Sequence, residues 1–118
     1  MLKDKALENL AAGELLLGRG FPNAAARRLY YSMYQAAVHR FAVLRLEPTK
    51  LRSGAVDWDH SMVENNTKKL GGDWRDKALY AQMRRLRSQA DYGDERVGPE
   101  KLSGRLEAVA DFVRRVTG

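Results

Sequence analysis

The 118-residue chain has no cysteine, only two histidines and three prolines. Without cysteine there is no disulfide frame, no thiolate nucleophile and no cysteine zinc site, which accords with a reducing compartment. His39 and His60 stand apart, with no His-Glu-x-x-His arrangement, so neither a metal nor another cofactor is expected. No Gly-x-Gly-x-x-Gly and no Gly-x-x-x-x-Gly-Lys-Ser/Thr string occurs, which removes the dinucleotide-binding and P-loop classes. Long hydrophobic runs are missing as well. No window reaches the roughly 18 to 20 apolar residues of a membrane span, and Lys3, Asp4 and Lys5 are not followed by a signal-like apolar segment. The expectation is a cytoplasmic protein with no membrane partner.

What is present points to helices. Leucine and alanine abound, isoleucine is absent and threonine is scarce, a balance that favours helix over strand. The length suits one domain over residues 1–118. Apolar residues recur at helical spacing in five places, with Gly, Pro or Asp at most joints. The first helix is expected from Lys3 to Leu17, before Gly18-Arg19-Gly20. A second, the longest, runs from Asn23 to Leu44 or Leu46 and is stopped by Glu47-Pro48. A polar loop follows to Val56, containing Lys50 and Arg52, and it is the expected mobile segment that either closes over a ligand or simply connects helices.

Asp57 or Asp59 caps a short third helix ending near Leu70, and Asp73 caps a fourth ending near Asp91, where Gly93 supplies a left-handed cap. The fifth begins beside Pro99, with Leu102, Leu106, Val109, Val113 and Val116 as its apolar stripe. Short connections between such helices imply an all-α, antiparallel four-helix bundle with one additional short helix.

Two helices carry polar residues of interest. On the second, Leu29, Tyr30, Met33, Tyr34, Ala37, Val38, Phe41 and Leu44 cover well over half the circumference, so it is expected to be buried on more than one side. The remaining polar line, Arg28, Ser32, Gln35 and His39, is either exposed surface or the floor of a polar cleft. On the fourth, Leu79, Met83, Leu86 and Ala90 form the core stripe; Arg84 and Arg85 point outward, and Arg87 lies on the flank where it can reach inward. Arg87 and Asp91 are spaced for an intrahelical ion pair.

The formal net charge of +6 comes from 14 Arg and 7 Lys against 15 acids, and it is spread evenly over both halves of the chain. Arginine's planar fork suits phosphate and carboxylate, which makes an anionic partner plausible without marking a basic patch.

The segment ARRLYYSMYQAA, Ala26 to Ala37, resembles the Arg-x-Tyr-Tyr-x-x-Phe-x-Ala-Ala core of HEPN domains, the helical nucleotide-binding domains of higher eukaryotes and prokaryotes. RSQADY, Arg87 to Tyr92, resembles the Arg-x-x-Ala-Asp-Tyr signature of that family's fourth helix, and His60 stands near the start of the third, as a histidine often does there. Helix number and order agree over nearly the whole chain. The resemblance implies a bundle that commonly dimerises and is often encoded beside a small nucleotidyltransferase, as in toxin–antitoxin pairs. Some members are metal-independent ribonucleases that carry Arg, four to six residues, then His; here Tyr92, Gly93 and Asp94 stand in that window instead, with Glu95 just beyond it.

The cleft the resemblance implies is built from Arg28, Tyr31, Arg87, Asp91 and Tyr92, to which Gln35 and His60 are added as ligand-binding candidates, with no catalytic residue and no metal ligand assigned. Three readings follow. The first is a dimeric nucleotide- or RNA-binding module, the second a ribonuclease or toxin recruiting His60 or His39, and the third a protein-interaction partner, above all of a nucleotidyltransferase, without a ligand. The missing histidine leans against an enzyme.

Overall fold

In the computed structural model, which describes residues 1–48 and 58–118, the chain is helical with no strand among the described residues. The elements are α1 (Leu2–Gly18), α2 (Pro22–Val43), α3 (His60–Asn65), a short 3-10 helix (Thr67–Leu70), α4 (Trp74–Tyr92), α5 (Pro99–Ser103) and α6 (Leu106–Thr117). The expected loop from Glu47 to Val56 and the alternative cap Asp57 fall almost wholly outside the described residues. No helix among those described is long and apolar enough to cross a membrane.

The broad apolar surface of α2 decides the architecture. Ala25, Ala26, Leu29, Tyr30, Met33, Ala36, Ala37 and Phe41 are all fully buried, and α2 packs against α1, α4 and α6 at once. It packs tightly on α1 at Gly13, where a Cβ would sit 2.6 Å from Leu29 Cδ2. Phe112, Val113 and Val116 of α6 and Met83 and Tyr80 of α4 complete the core. The result is a helical bundle in which α2 is the central member.

Helix ends follow from local chemistry. Leaving α1, Phe21 N–H donates to Leu16 O at 2.9 Å and Gly20 N–H to Leu17 O at 3.2 Å, with Gly20 at φ 86°. The same motif closes α2: Leu46 N–H donates to Phe41 O at 2.9 Å and Arg45 N–H to Ala42 O at 3.0 Å, with Arg45 in the left-handed region at φ 58°. The helix therefore stops at Val43, before Glu47-Pro48 acts on it. Asp59 caps α3 by accepting from Met62 N–H at 2.8 Å, and Asp73 caps α4 by accepting from Arg75 N–H at 2.9 Å.

Four expectations are corrected. The third helix does not run evenly to Leu70: Asn66 turns its side-chain amide back onto Met62 O at 2.7 Å, ending α3, and the chain continues as 3-10 helix to left-handed Gly71. The fifth helix is two, because Gly104 is a poor helix former and the chain steps sideways at Arg105, leaving Leu102 on α5 and Val109, Val113 and Val116 on α6. Gly93 is extended (φ −79°, ψ 153°), not left-handed; what it needs is space, since a Cβ would lie 2.7 Å from Gln89 O. The core stripe of α4 includes Tyr80, fully buried, while Leu79 is only half-buried.

Candidate anion site between α2, α3 and α4

Three tyrosines on α2, Tyr30, Tyr31 and Tyr34, share one side of the helix at i, i+1 and i+4. The Asp59 cap starts α3 so that its first residue, His60, projects onto them. The imidazole lies 5.4 Å from the Tyr30 ring, 6.2 Å from Tyr31 and 5.2 Å from Tyr34, centroid to centroid. Tyr34 hydroxyl donates to Trp58 O, and Trp58 stacks on Phe41 at 4.3 Å, which anchors the chain entering α3.

Beneath the imidazole runs a chain of hydroxyls. Tyr30 Oη is 2.5 Å from His60 Nδ1 and 3.1 Å from Tyr80 Oη. Tyr30 and Tyr80 are fully buried, and burial pushes both phenols upward, Tyr30 to about 12, so both stay protonated. Tyr80 hydroxyl finds only Tyr30 among the described residues. The one arrangement that strands no hydroxyl proton has Tyr80 donating to Tyr30 and Tyr30 donating to His60 Nδ1. Nε2 then carries the imidazole proton. Burial first, and then the positive charges of Arg87 and Arg84, hold the imidazole below its ordinary value of 6.5, against the opposing pull of Asp59. His60 is therefore a neutral N–H donor at pH 7.

Arg87 completes the group from α4. Its guanidinium lies 5.3 Å from the Tyr30 ring centroid, and its side chain is only 12% exposed. Nη1 donates to Asp91 Oδ2 at 3.2 Å, the expected intrahelical pair. Nε is buried and has no hydrogen-bond partner among the described residues. Asp91 also accepts from Arg27 Nε, and Arg27 Nη2 donates to Ala90 O at 3.0 Å. Arg27, followed by Arg87, holds the Asp91 carboxyl below the usual carboxylate range, so Asp91 is an orienting anion and no base.

Of the residues singled out from the sequence, the structure gathers Tyr31, His60, Arg87 and Asp91. Arg28 and Gln35 meet elsewhere, on the α1 side of α2: Asn9 accepts from Arg28 Nη1 at 3.1 Å and donates to Gln35 Oε1 at 2.7 Å. Ser32 between them is buried, donating to Leu29 O at 2.7 Å, so the polar line is broken: Arg28 is exposed, Gln35 and His39 are half-buried, and Ser32 faces the core. Tyr92 is 81% exposed at the end of α4, and His39 is half-buried.

Sequence reasoning passed over Tyr30, Tyr80 and Arg27. Arg27, Tyr30 or Tyr31, and Tyr34 recur at i, i+3 or i+4, and i+7, and Tyr80 stands two turns before Arg87, so helical spacing held a signal for each. Among the described residues no group of three or more His, Asp or Glu is placed to hold a metal. Compared with known protein families and with curated proteins, the sequence matches none.

Proposed function

We propose that the bundle is a HEPN-like module that binds a phosphate-bearing ligand, a nucleotide or single-stranded RNA, at His60 and Arg87. The observation that carries this reading is the unpartnered, buried Arg87 Nε–H; Arg87 and His60 both lie against the Tyr30 ring, at 5.3 and 5.4 Å, and the neutral imidazole offers Nε2–H. A buried donor without an acceptor costs stability, about 1–3 kcal/mol, unless a ligand supplies the acceptor. A phosphate oxygen is the acceptor that a guanidinium and an N–H donor select together. Tyr31, half-buried beside His60, offers a ring against which a base stacks. The motif resemblance in α2 and α4 supports the same reading, and with it the dimer and the nucleotidyltransferase partner that the family suggests.

The ribonuclease alternative fares worse on protonation. Cleavage by the RNA 2′-hydroxyl needs a base and an acid poised near neutrality. His60 Nδ1 already accepts from Tyr30, and the phenol, at about 12, is a poor acid–base group. His60 is the single imidazole in the cluster, so the group is equipped to hold a phosphate and not to move two protons.

The test is binding of fluorescein-labelled decauridylate and of UMP in EDTA, with the RNA run on a gel afterward. Wild-type protein binds and leaves the RNA intact, and Arg87→Ala weakens both affinities at least tenfold while keeping a helical circular dichroism spectrum. Unchanged binding in Arg87→Ala, or RNA cleaved by wild type and spared by His60→Gln, would sink the proposal.

A further inference from the structure

The outer face of α4 holds a second feature that the His60–Arg87 group leaves unused. Trp74 and Tyr92 are the most exposed aromatic residues of the described chain, at 74% and 81%. They stand eighteen residues apart, five full turns, and so share one azimuth of the helix. The spacing along the axis is about 27 Å. Between them, at steps of three and four, come Lys77, Ala81, Arg84 and Ser88, with Arg85 alongside.

Cations outnumber acids on this face. Lys77 and Arg85 make no ion pair among the described residues, and Arg84 meets Glu64 of α3 at 3.7 Å. The small side chains of Ala81 and Ser88 lower the middle into a shallow cavity of about 330 Å³, shared with Arg84, Arg85 and Glu64. At the Trp74 end a second cavity of about 340 Å³ adds Lys68, Asn65 and the acid Asp73 to Trp74 and Lys77. An exposed tryptophan costs solubility, and aromatic side chains bracketing cations are the equipment of a surface that stacks bases and neutralises phosphates. Arg84 joins this face to the first group, since its positive charge acts on His60.

We infer that the outer face of α4, from Trp74 through Lys77, Arg84 and Arg85 to Tyr92, is a track for a single nucleic-acid strand, with bases stacking on the terminal aromatics and phosphates on the cations between. The choice of ligand class rests on the phosphate-binding reading of His60 and Arg87. A mononucleotide fills that group alone, whereas a strand of about four or more nucleotides reaches along the face as well. RNA and DNA share the stacking and phosphate chemistry, and a contact to the ribose 2′-hydroxyl would separate them.

The experiment uses a Trp58→Phe background, which keeps an aromatic ring on Phe41 and leaves Trp74 as the sole tryptophan. Its emission is followed on titration with decauridylate, decathymidylate and UMP, beside fluorescence anisotropy. Decauridylate quenches Trp74, UMP leaves it unchanged, and the double substitution Lys77→Ala with Arg85→Ala weakens decauridylate at least tenfold without altering UMP affinity. Removing two phosphate contacts lowers the slope of log affinity against log salt by about 1.4. Quenching by decathymidylate to the same extent establishes the shared chemistry, and quenching by RNA alone establishes a 2′-hydroxyl contact; both support the track.

Decauridylate that binds through Arg87 with Trp74 emission unchanged and with no effect of the double substitution overturns the track and leaves the His60–Arg87 reading standing. Trp74-reported binding indifferent to Arg87→Ala keeps the track and overturns that reading. No binding of either ligand overturns both.

Discussion

Single side chains do opposite work in the polar group. Arg87 spends one nitrogen on Asp91 and leaves another without a partner, whereas His60 is fully satisfied at Nδ1 and free to donate at Nε2. The same burial that makes His60 neutral links it to pH. Its folded pKa lies below the unfolded value of 6.5, so the unfolded chain takes up the proton first as pH falls. The contribution of neutral His60 to stability is therefore present above pH 6.5 and is lost as pH drops through the folded pKa. Urea midpoints of wild type fall as pH is lowered below 6.5, and His60→Gln removes that component of the slope. Equal slopes for the two proteins would show that the imidazole carries no such linkage.

Helix ends are where elements acquire their lengths, and two of them invite substitution. The α1 and α2 termini use the same double hydrogen-bond turn, yet one is closed by Gly20 and the other by Arg45 at φ 58°. A side chain in the left-handed region costs about 1 kcal/mol, part of which glycine returns as unfolded-state entropy. Arg45→Gly accordingly stabilises by about 0.5 kcal/mol, read as a higher thermal midpoint; a lower one would refute the strain at this turn. Asp59 has the larger consequence. Its carboxylate caps α3 and so fixes where His60 begins, and Asp59→Ala removes about 1 kcal/mol of helix stability. Because α3 spans only His60–Asn65, the loss falls on the imidazole, and nucleotide affinity decreases with it. Titration calorimetry with UMP checks this, and unchanged affinity would mean that the tyrosines alone position His60.

At the scale of the molecule, α6 is tied to α4 by a two-pronged contact. Arg115 donates to both oxygens of Asp76, at 3.1 and 2.8 Å, and Gly72 leaves room for it, since a Cβ there would lie 1.4 Å from Asp76 Oδ2. Asp76 is 8% exposed, and no other residue is bonded to its carboxylate among the described residues. Arg115→Met strands that charge and destabilises by about 2 kcal/mol, below the ~3–5 kcal/mol of a wholly buried pair because Arg115 itself is 39% exposed. Urea denaturation measures the loss. The double variant with Asp76→Leu recovers most of it if the stranded carboxylate is the cause, and a double variant as unstable as the single one would assign the loss to packing.

The sequence by itself determined the all-helical class, the starts of α1, α2, α4 and α5 and the breadth of α2's apolar surface, because capping and periodicity act over one or two turns. Asp73 capping α4 and the Arg87–Asp91 pair were legible for that reason. It was ambiguous wherever two neighbours competed for one role: Arg27 or Arg28, Tyr30 or Tyr31. Only packing chose among them, by rotating α2 so that Tyr30 met His60, 30 residues away, and Arg27 met Asp91, 64 residues away, while Arg28 and Gln35 turned toward Asn9. The tertiary structure also decided that Tyr80 belongs in the core, since its hydroxyl is affordable there only with Tyr30 as a partner. A hydrogen bond between distant segments leaves no period in a sequence, and beyond the local Arg87–Asp91 pair the candidate site is held by such bonds, Tyr30 to His60 and Tyr80 and Arg27 to Asp91.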